Sequence, residues 1–304
     1  MVIKELSRLW LDEKKQYVKL STFAAYCTLV RKHIDPWFGE KESVEEEDVQ
    51  NFVLCKLKDN LNEKTVKDMI VVLKMILRFG AKKRLMQPLP IDVTYPTTHG
   101  KKALEVMSKE NFKKLLVYLE SHFSFKNLGL YICMCTGLRI GEICALKWSD
   151  INVEERVISV NHSIQRVYVF EGEDRHTKLM ISTPKTKESN RDVPMSNGLC
   201  KVIKPLMKVV NPDCFVVSND LSPTEPKTYR VYYKKLIKSL GLPELKFHGL
   251  RHSFATRCIE SKADYKTVST ILGHSNITTT LNLYVHPDNA QKRNAVEKMM
   301  RFLG

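Results

Sequence analysis

The chain has no run of about 18 apolar residues, the least that spans a membrane as a helix. Its start, Met1-Val-Ile-Lys-Glu-Leu, lacks the charged and apolar regions of a signal peptide. No Cys-x-x-Cys pair occurs among the eight cysteines, which argues against a structural zinc site. There is no Gly-x-x-x-x-Gly-Lys-Ser/Thr segment to cradle nucleotide phosphates. A two-metal nuclease would want clustered carboxylates, and the motif set late in the sequence supplies cations instead. We therefore expect neither metal nor cofactor. Cys27, Cys55, Cys133, Cys135, Cys144 and Cys258 lie in apolar helical contexts, which reads as the reduced core thiols of a cytoplasmic protein.

What the chain has in excess is positive charge. Over 304 residues, 49 Lys and Arg face 34 Asp and Glu, a formal net charge of +15. Residues 1–96 hold 17 basic against 14 acidic residues, and 97–304 hold 32 against 20, so the excess is concentrated in the second part. Such an imbalance suits a polyanion partner, because basic side chains steer and contact phosphates.

The length suits two domains, each able to bury a core. Residues 1–87 read as four helices. Leu6, Leu9 and Trp10 begin the first stripe. Ser21-Thr22 caps a second helix carrying Phe23, Tyr26, Cys27 and Val30, which ends at Pro36-Trp37-Phe38-Gly39. Ser43-x-x-Glu46 is a capping-box pattern for a third helix, and Asn62 opens a long fourth one to about Leu85. Residues 88–103, with Pro88, Pro90, Pro96 and Gly100, read as an extended linker, and 104–304 as the second domain. There Ser108 caps a helix, Leu128 to Cys135 is apolar nearly all round, and Gly137 breaks the helix before Arg139. Between Arg156 and Met195, β-branched runs separated by turn residues predict a small antiparallel sheet. Helices resume near Leu199 and Tyr229, and the last runs over about 288–303. The fold class is mainly α with a small antiparallel β-sheet, an α+β chain.

The chemistry concentrates late in the sequence. His248 and Arg251 lie one helical turn apart, beside an apolar stripe of Phe247, Leu250, Phe254 and Cys258 that holds the polar pair over a cleft. Taken alone they would be an ordinary surface pair. Further on come Leu272-Gly273-His274-Ser275-Asn276 and then Tyr284-Val-His286. Earlier, Thr136-Gly137-Leu138-Arg139-Ile140-Gly141-Glu142 places an arginine at a helix start, with a carboxylate one turn on to hold its fork in plane. Pro184-Lys185-Thr186-Lys187 lies in a polar turn between strands, and the linker closes on His99-Gly100-Lys101-Lys102, which could lie against phosphates. Arginines, histidines and a phenol without metal suit phosphodiester chemistry with a tyrosine nucleophile. A phenol is mostly protonated at pH 7, a deficit of about 4 kcal/mol against its ionised form, which nearby positive charge offsets.

In this order, over roughly 200 residues, these segments resemble the tyrosine recombinase (integrase) family. The resemblance implies a two-domain DNA clamp, with an N-terminal SAM-like helical core-binding domain and a catalytic domain. It implies cleavage through a 3′-phosphotyrosyl intermediate and a Holliday junction. Arg139 and Arg251 would stabilise the phosphate, His248 would accept the phenolic proton, and His274 would donate to a non-bridging oxygen. Tyr284 would be the nucleophile, with Glu142 behind Arg139. Lys185 would protonate the departing 5′ oxygen, with Lys187 as its rival and otherwise a DNA contact beside Lys101 and Lys102. His286 is a weaker candidate for a local hydrogen bond. His252 reads as structural, as do Tyr229, Tyr232, Tyr233 and Tyr265. His274 and Tyr284 stand ten residues apart, where many members are one shorter, so the path between them is open.

The implied partners are double-stranded DNA with a specific recombination site, a homo-tetramer on that DNA, and accessory DNA-bending or directionality proteins. The tetramer would exchange the last helix through Val296, Met299, Met300 and Leu303, with docking of that helix in cis as the alternative. The strand-rich segment from Ser163 to Ile181 favours integration and excision of a mobile element over resolution of chromosome dimers. Relaxation of the type IB topoisomerase kind is a further alternative. Larger integrases often carry an additional N-terminal arm-binding domain, for which residues 1–87 leave no room; either this member does without one or that domain lies outside these 304 residues.

Overall fold

The structure, a computed structural model, describes residues 1–96, 104–171, 174–182, 190–284 and 289–303. Lys101, Lys102, Lys185, Lys187 and His286 lie outside the described residues. The chain divides into two compact units, Met1–Lys101 with Arg166–Lys178, and Lys102–Gln165 with Leu179–Gly304.

In the first unit, α1 (Ile3–Lys14), α2 (Leu20–Leu29), a π-helical turn (Val30–Ile34), α3 (Asp35–Phe38), α4 (Glu46–Lys58) and α5 (Glu63–Lys82) follow one another. Their apolar faces meet in a core of Ile3, Leu6, Trp10, Phe38, Phe52 and Leu73, with others around them. Leu9 turns out to solvent. Two expected caps move. Ser21 sits inside α2, whose first turn opens after Lys19, and α4 is closed by the Asp48 carboxylate accepting from the Glu45 backbone N–H at 3.1 Å rather than by Ser43 and Glu46. Asn62 caps α5 as expected, its side chain accepting from Lys64 N at 2.9 Å.

Residues 88–96 are extended but not loose. Leu89, Ile91, Val93 and Tyr95 pack on this core. Between them, Asp92 N donates to Glu46 Oε1 at 2.8 Å and Thr94 N to Gln50 Oε1 at 3.1 Å. The period-two spacing of those four apolar residues explains the strap: alternate side chains of an extended segment share one face. The prolines had masked that alternation.

The second unit opens with α6 (Lys109–Ser121), α7 (Phe125–Thr136) and α8 (Ile140–Ala145), followed by a 3₁₀ turn (Trp148–Asp150). Ser108 caps α6, and α7 is buried over most of its length. The expected single sheet is two. Strands β1 (Ile151–Asn152), β2 (Val157–Val160) and β5 (Arg191–Pro194) form an antiparallel three-stranded sheet, while β3 (Ser163–Glu171) and β4 (Asp174–Ser182), whose stretch Arg166–Lys178 is grouped with the first unit, pair separately. The register sets Ile158 opposite Val193 and Val160 opposite Arg191, so Arg191 shares the inner face of β5 with Val193. Then come α9 (Asn197–Leu206), α10 (Pro226–Ser239), α11 (Phe247–Glu260), α12 (Tyr265–Leu272), α13 (Ile277–Tyr284) and α14 (Asn289–Leu303). The unit's main core gathers Leu115, Ile132, Ile143, Trp148, Tyr229 and Leu250, and a smaller cluster packs Ala255, Val268 and Leu272 against Tyr284. All eight cysteines are free. Among the described residues no helix is long and apolar enough to cross a membrane.

Candidate active site

The site begins where α7 ends. Gly137 adopts a left-handed conformation (φ 68°) and its N–H returns to Cys133 O at 2.8 Å, which stops the helix and reverses the chain. Two residues later Arg139 caps α8. The Glu142 carboxylate accepts the Arg139 N–H at 2.8 Å and its Nη1 at 2.7 Å, so one side chain closes the helix start and fixes the guanidinium. Arg139 Nη2 donates to Gly273 O at 3.1 Å.

Glu142 serves a second arginine that the sequence reading passed over. Arg191 donates from Nη1 to Glu142 Oε1 at 3.1 Å and from Nη2 to Oε2 at 3.0 Å, a bidentate pair, while its Nε reaches Ile271 O at 2.6 Å. Both side chains are about 5% exposed or less. Burial alone would raise the Glu142 pKa. The hydrogen bonds and charge of Arg191, with the charge and backbone N–H of Arg139, outweigh it and hold the carboxyl at about 2. The signal for Arg191 was present in the sequence, since an arginine two residues before Val193 falls on the strand's inward face.

Arg251, on α11, is buried. Its Nη1 donates to Gly137 O at 2.9 Å, just past α7, and its Nη2 to Leu272 O at the end of α12. These are carbonyls that a helix terminus leaves without an intrahelical partner, and the negative end of each helix dipole faces the cation. Burial, then Arg139, pull its pKa down to about 9, still protonated at pH 7. Arg139, His248 and Arg251 line a cleft of about 420 Å³, together with Arg230, Lys234 and Lys246 from α10 and the approach to α11. The His248 pKa is lowered by burial and by Arg251 and Arg139.

Gly273 (φ 63°) ends α12 in the same left-handed way as Gly137 and presents His274. His274 Nδ1 lies 2.8 Å from Thr280 Oγ1, and Thr280 is buried. Burial, followed by Arg251 and Arg139, takes the His274 pKa down to about 4. The path from His274 to Tyr284, left open by the sequence, is helical: Asn276 Oδ1 accepts Thr278 N at 2.8 Å and α13 runs unbroken to Tyr284. Tyr284 is buried, and burial pushes its pKa up to about 12 against the pull of Arg251 and Arg139.

The phenol's hydrogen-bond partner among the described residues is not His248. Tyr284 Oη lies 2.6 Å from His252 Nδ1, so His252, expected to be structural, touches the residue expected to react. The other expected structural tyrosines that are buried, Tyr229 and Tyr233, lie in the core against Phe247.

The profile of the phage integrase family matches residues 105–291. The chain belongs to the phage integrase family. The family's N-terminal SAM-like domain matches residues 2–53. A relative described as "Tyrosine recombinase XerC-like", from Caldanaerobacter subterraneus subsp. tengcongensis, is 30% identical over 98% of this chain and 83% of its own length. The ICEBs1 integrase of Bacillus subtilis is 22% identical over 95% of this chain and 78% of its own. The Tn1549 transposon integrase, solved in complex with a circular intermediate DNA, has the same fold: TM-score 0.78 and 23% identity, covering 98% of this chain and 99% of that one. As a member of this family of tyrosine recombinases, the chain is an enzyme of DNA strand cleavage and rejoining.

Proposed function

We propose that this chain is a site-specific recombinase that integrates and excises a mobile element, binding double-stranded DNA at a specific site and cutting it through Tyr284. The observation that carries the reading is the shared anchoring of the cations. Arg139 and Arg251 are tied to consecutive carbonyls, Gly273 O and Leu272 O, of the turn that presents His274, and Arg251 precedes the histidine that holds Tyr284. A phosphodiester in the cleft would meet two guanidinium groups across its non-bridging oxygens. Thr280 fixes the His274 ring, leaving Nε2 to donate to the same phosphate. His248 lines that cleft and contributes a hydrogen bond there. In the reaction the Tyr284–phosphorus bond forms, the bond to the 5′ oxygen breaks, and a lysine of the 185–187 tract protonates the leaving oxygen. The phosphotyrosyl bond conserves the energy needed for a 5′ hydroxyl of a second duplex to reverse the step, giving a Holliday junction after one pair of exchanges. Lys101 and Lys102 would add backbone contacts. A tetramer that exchanges α14, with accessory DNA-bending proteins, completes the reading. A chromosome-resolving role is the second reading, supported by the 30% identity to the XerC-like relative.

A nicked suicide duplex bearing the recombination site tests the chemistry. The protein should form a covalent adduct stable on a denaturing gel, and Tyr284→Phe should form none. Adducts on any sequence, with relaxation of supercoils, would replace recombination with a topoisomerase reading.

A further inference from the structure

Three arginines converge on the end of α12. Arg191 Nε donates to Ile271 O at 2.6 Å, Arg251 Nη2 to Leu272 O, and Arg139 Nη2 to Gly273 O at 3.1 Å, so three consecutive carbonyls are each held by a different guanidinium. A helix end leaves such carbonyls without intrahelical partners, and its dipole favours the positive charge. The next residue is His274. Arg139 and Arg251 line the cleft, whereas Arg191 is not among its lining residues and its side chain is about 5% exposed. Arg191 is therefore out of reach of a phosphate bound there.

What Arg191 does reach is the carboxylate that holds Arg139. Glu142 Oε1 accepts Arg139 Nη1 at 2.7 Å and Arg191 Nη1 at 3.1 Å, while Oε2 accepts the Arg139 backbone N–H at 2.8 Å and Arg191 Nη2 at 3.0 Å. Arg139 itself is 36% exposed on a long rotatable stem, and two partners hold its fork, Glu142 Oε1 and Gly273 O. Both partners are anchored from behind by Arg191, one through the shared carboxylate and the other through the carbonyl two residues earlier. The ionisable groups facing Glu142 are Arg139, Arg191 from β5, Arg251 from α11 and the Cys133 thiol from α7. Burial would raise the pKa of this carboxyl, and the hydrogen bonds and charge of Arg191 are the first of the effects that hold it down.

We propose that Arg191 is a positioning residue for strand cleavage, fixing the Arg139 fork through Glu142 and the turn that presents His274 through Ile271 O, without touching DNA. This inference rests on the reading in which Arg139 and His274 receive the phosphate attacked by Tyr284. Lysine at this position keeps the charge and loses the fork, because one ammonium cannot reproduce the planar bidentate grip on both carboxylate oxygens.

The test compares the full chain with Arg191→Lys and Tyr284→Phe on a nicked suicide duplex bearing the site, from about pH 5 to about pH 8. Arg191→Lys should bind the duplex as the unaltered chain does and cleave about 10²-fold more slowly with duplex saturating, so the loss lies in the rate of the bound complex and not in affinity. Its deficit should widen as pH falls, because a Glu142 released from Arg191 titrates higher and, once protonated, no longer holds Arg139 by charge. A residue that only stabilises the fold gives a deficit that does not change with pH. Cleavage at the full rate, a deficit that is constant with pH, or weaker binding with an unchanged rate once bound each overturns the proposal while Tyr284→Phe stays inert. If Arg191→Lys is unfolded by circular dichroism, Arg191→Gln, which leaves Glu142 paired with Arg139, decides by the same two readings. Should both variants unfold, Arg191 holds the fold and not the reaction, and the proposal is overturned. An adduct from Tyr284→Phe, or none from the unaltered chain, overturns the reading beneath this inference and the inference with it.

Discussion

Glu142 places one buried carboxylate between the buried guanidinium of Arg191 and the partly exposed one of Arg139. Removing one partner of such a cluster leaves buried positive charge uncompensated, which costs about 3–5 kcal/mol. Its pKa falls from 4.5 to about 2 on folding, so the stability it contributes is complete above about pH 4.5 and lost as pH falls towards 2. That shift corresponds to about 3 kcal/mol. Glu142→Gln should accordingly lose about 3 kcal/mol in urea unfolding at pH 7, with the gap to the unaltered chain closing as pH drops below 4.5. An unchanged gap at pH 3 would refute the charge argument. Two positions the sequence reading missed, Arg191 and Thr280, are ones whose partners lie 49 and 6 residues away on other elements. Arg139 and Glu142 were legible because their contact is local, one helical turn long.

Among the elements, α7 matters less for its core face than for where it stops. The left-handed Gly137 lets its own carbonyl turn towards Arg251. A Cβ at this position would lie 2.5 Å from Phe254 Cδ1 and 2.9 Å from Leu272 Cδ2, and it would meet an unfavourable φ. Gly137→Ala should therefore cost about 2–4 kcal/mol, the sum of the backbone penalty and overpacking, read from the denaturant midpoint. Adduct formation should drop with it, because the Arg251 carbonyl partner moves. Retained stability would show that the turn has other ways to close. Helix periods and caps made most elements readable in advance, including the Ser108 and Asn62 caps and the apolar α7. The sheet was read as one because β-branched runs mark strands without recording their partners, and pairing is a long-range choice. The strap at 88–96 was missed because proline outweighed its alternating apolar residues.

At the scale of the whole molecule, α14 carries large apolar side chains that are uncovered among the described residues. Val296, Met299, Met300, Phe302 and Leu303 are all exposed. Five large apolar groups exposed on one helix make a surface suited to a partner. Deleting residues 290–304 should leave binding of a single chain to DNA in place and abolish higher assembly, as read by light scattering of the protein–DNA complex. Assembly that survives the deletion would remove the exchanged helix from the proposal.

The anchoring of Arg251 has one more consequence. Its guanidinium spans carbonyls that only come together when the ends of α7 and α12 have both been delivered to α11. A chain still being folded has no such meeting point, so its phenol faces no assembled pair of cations. On the proposed reading, strand opening therefore depends on three helices meeting at one side chain and not on any one of them alone.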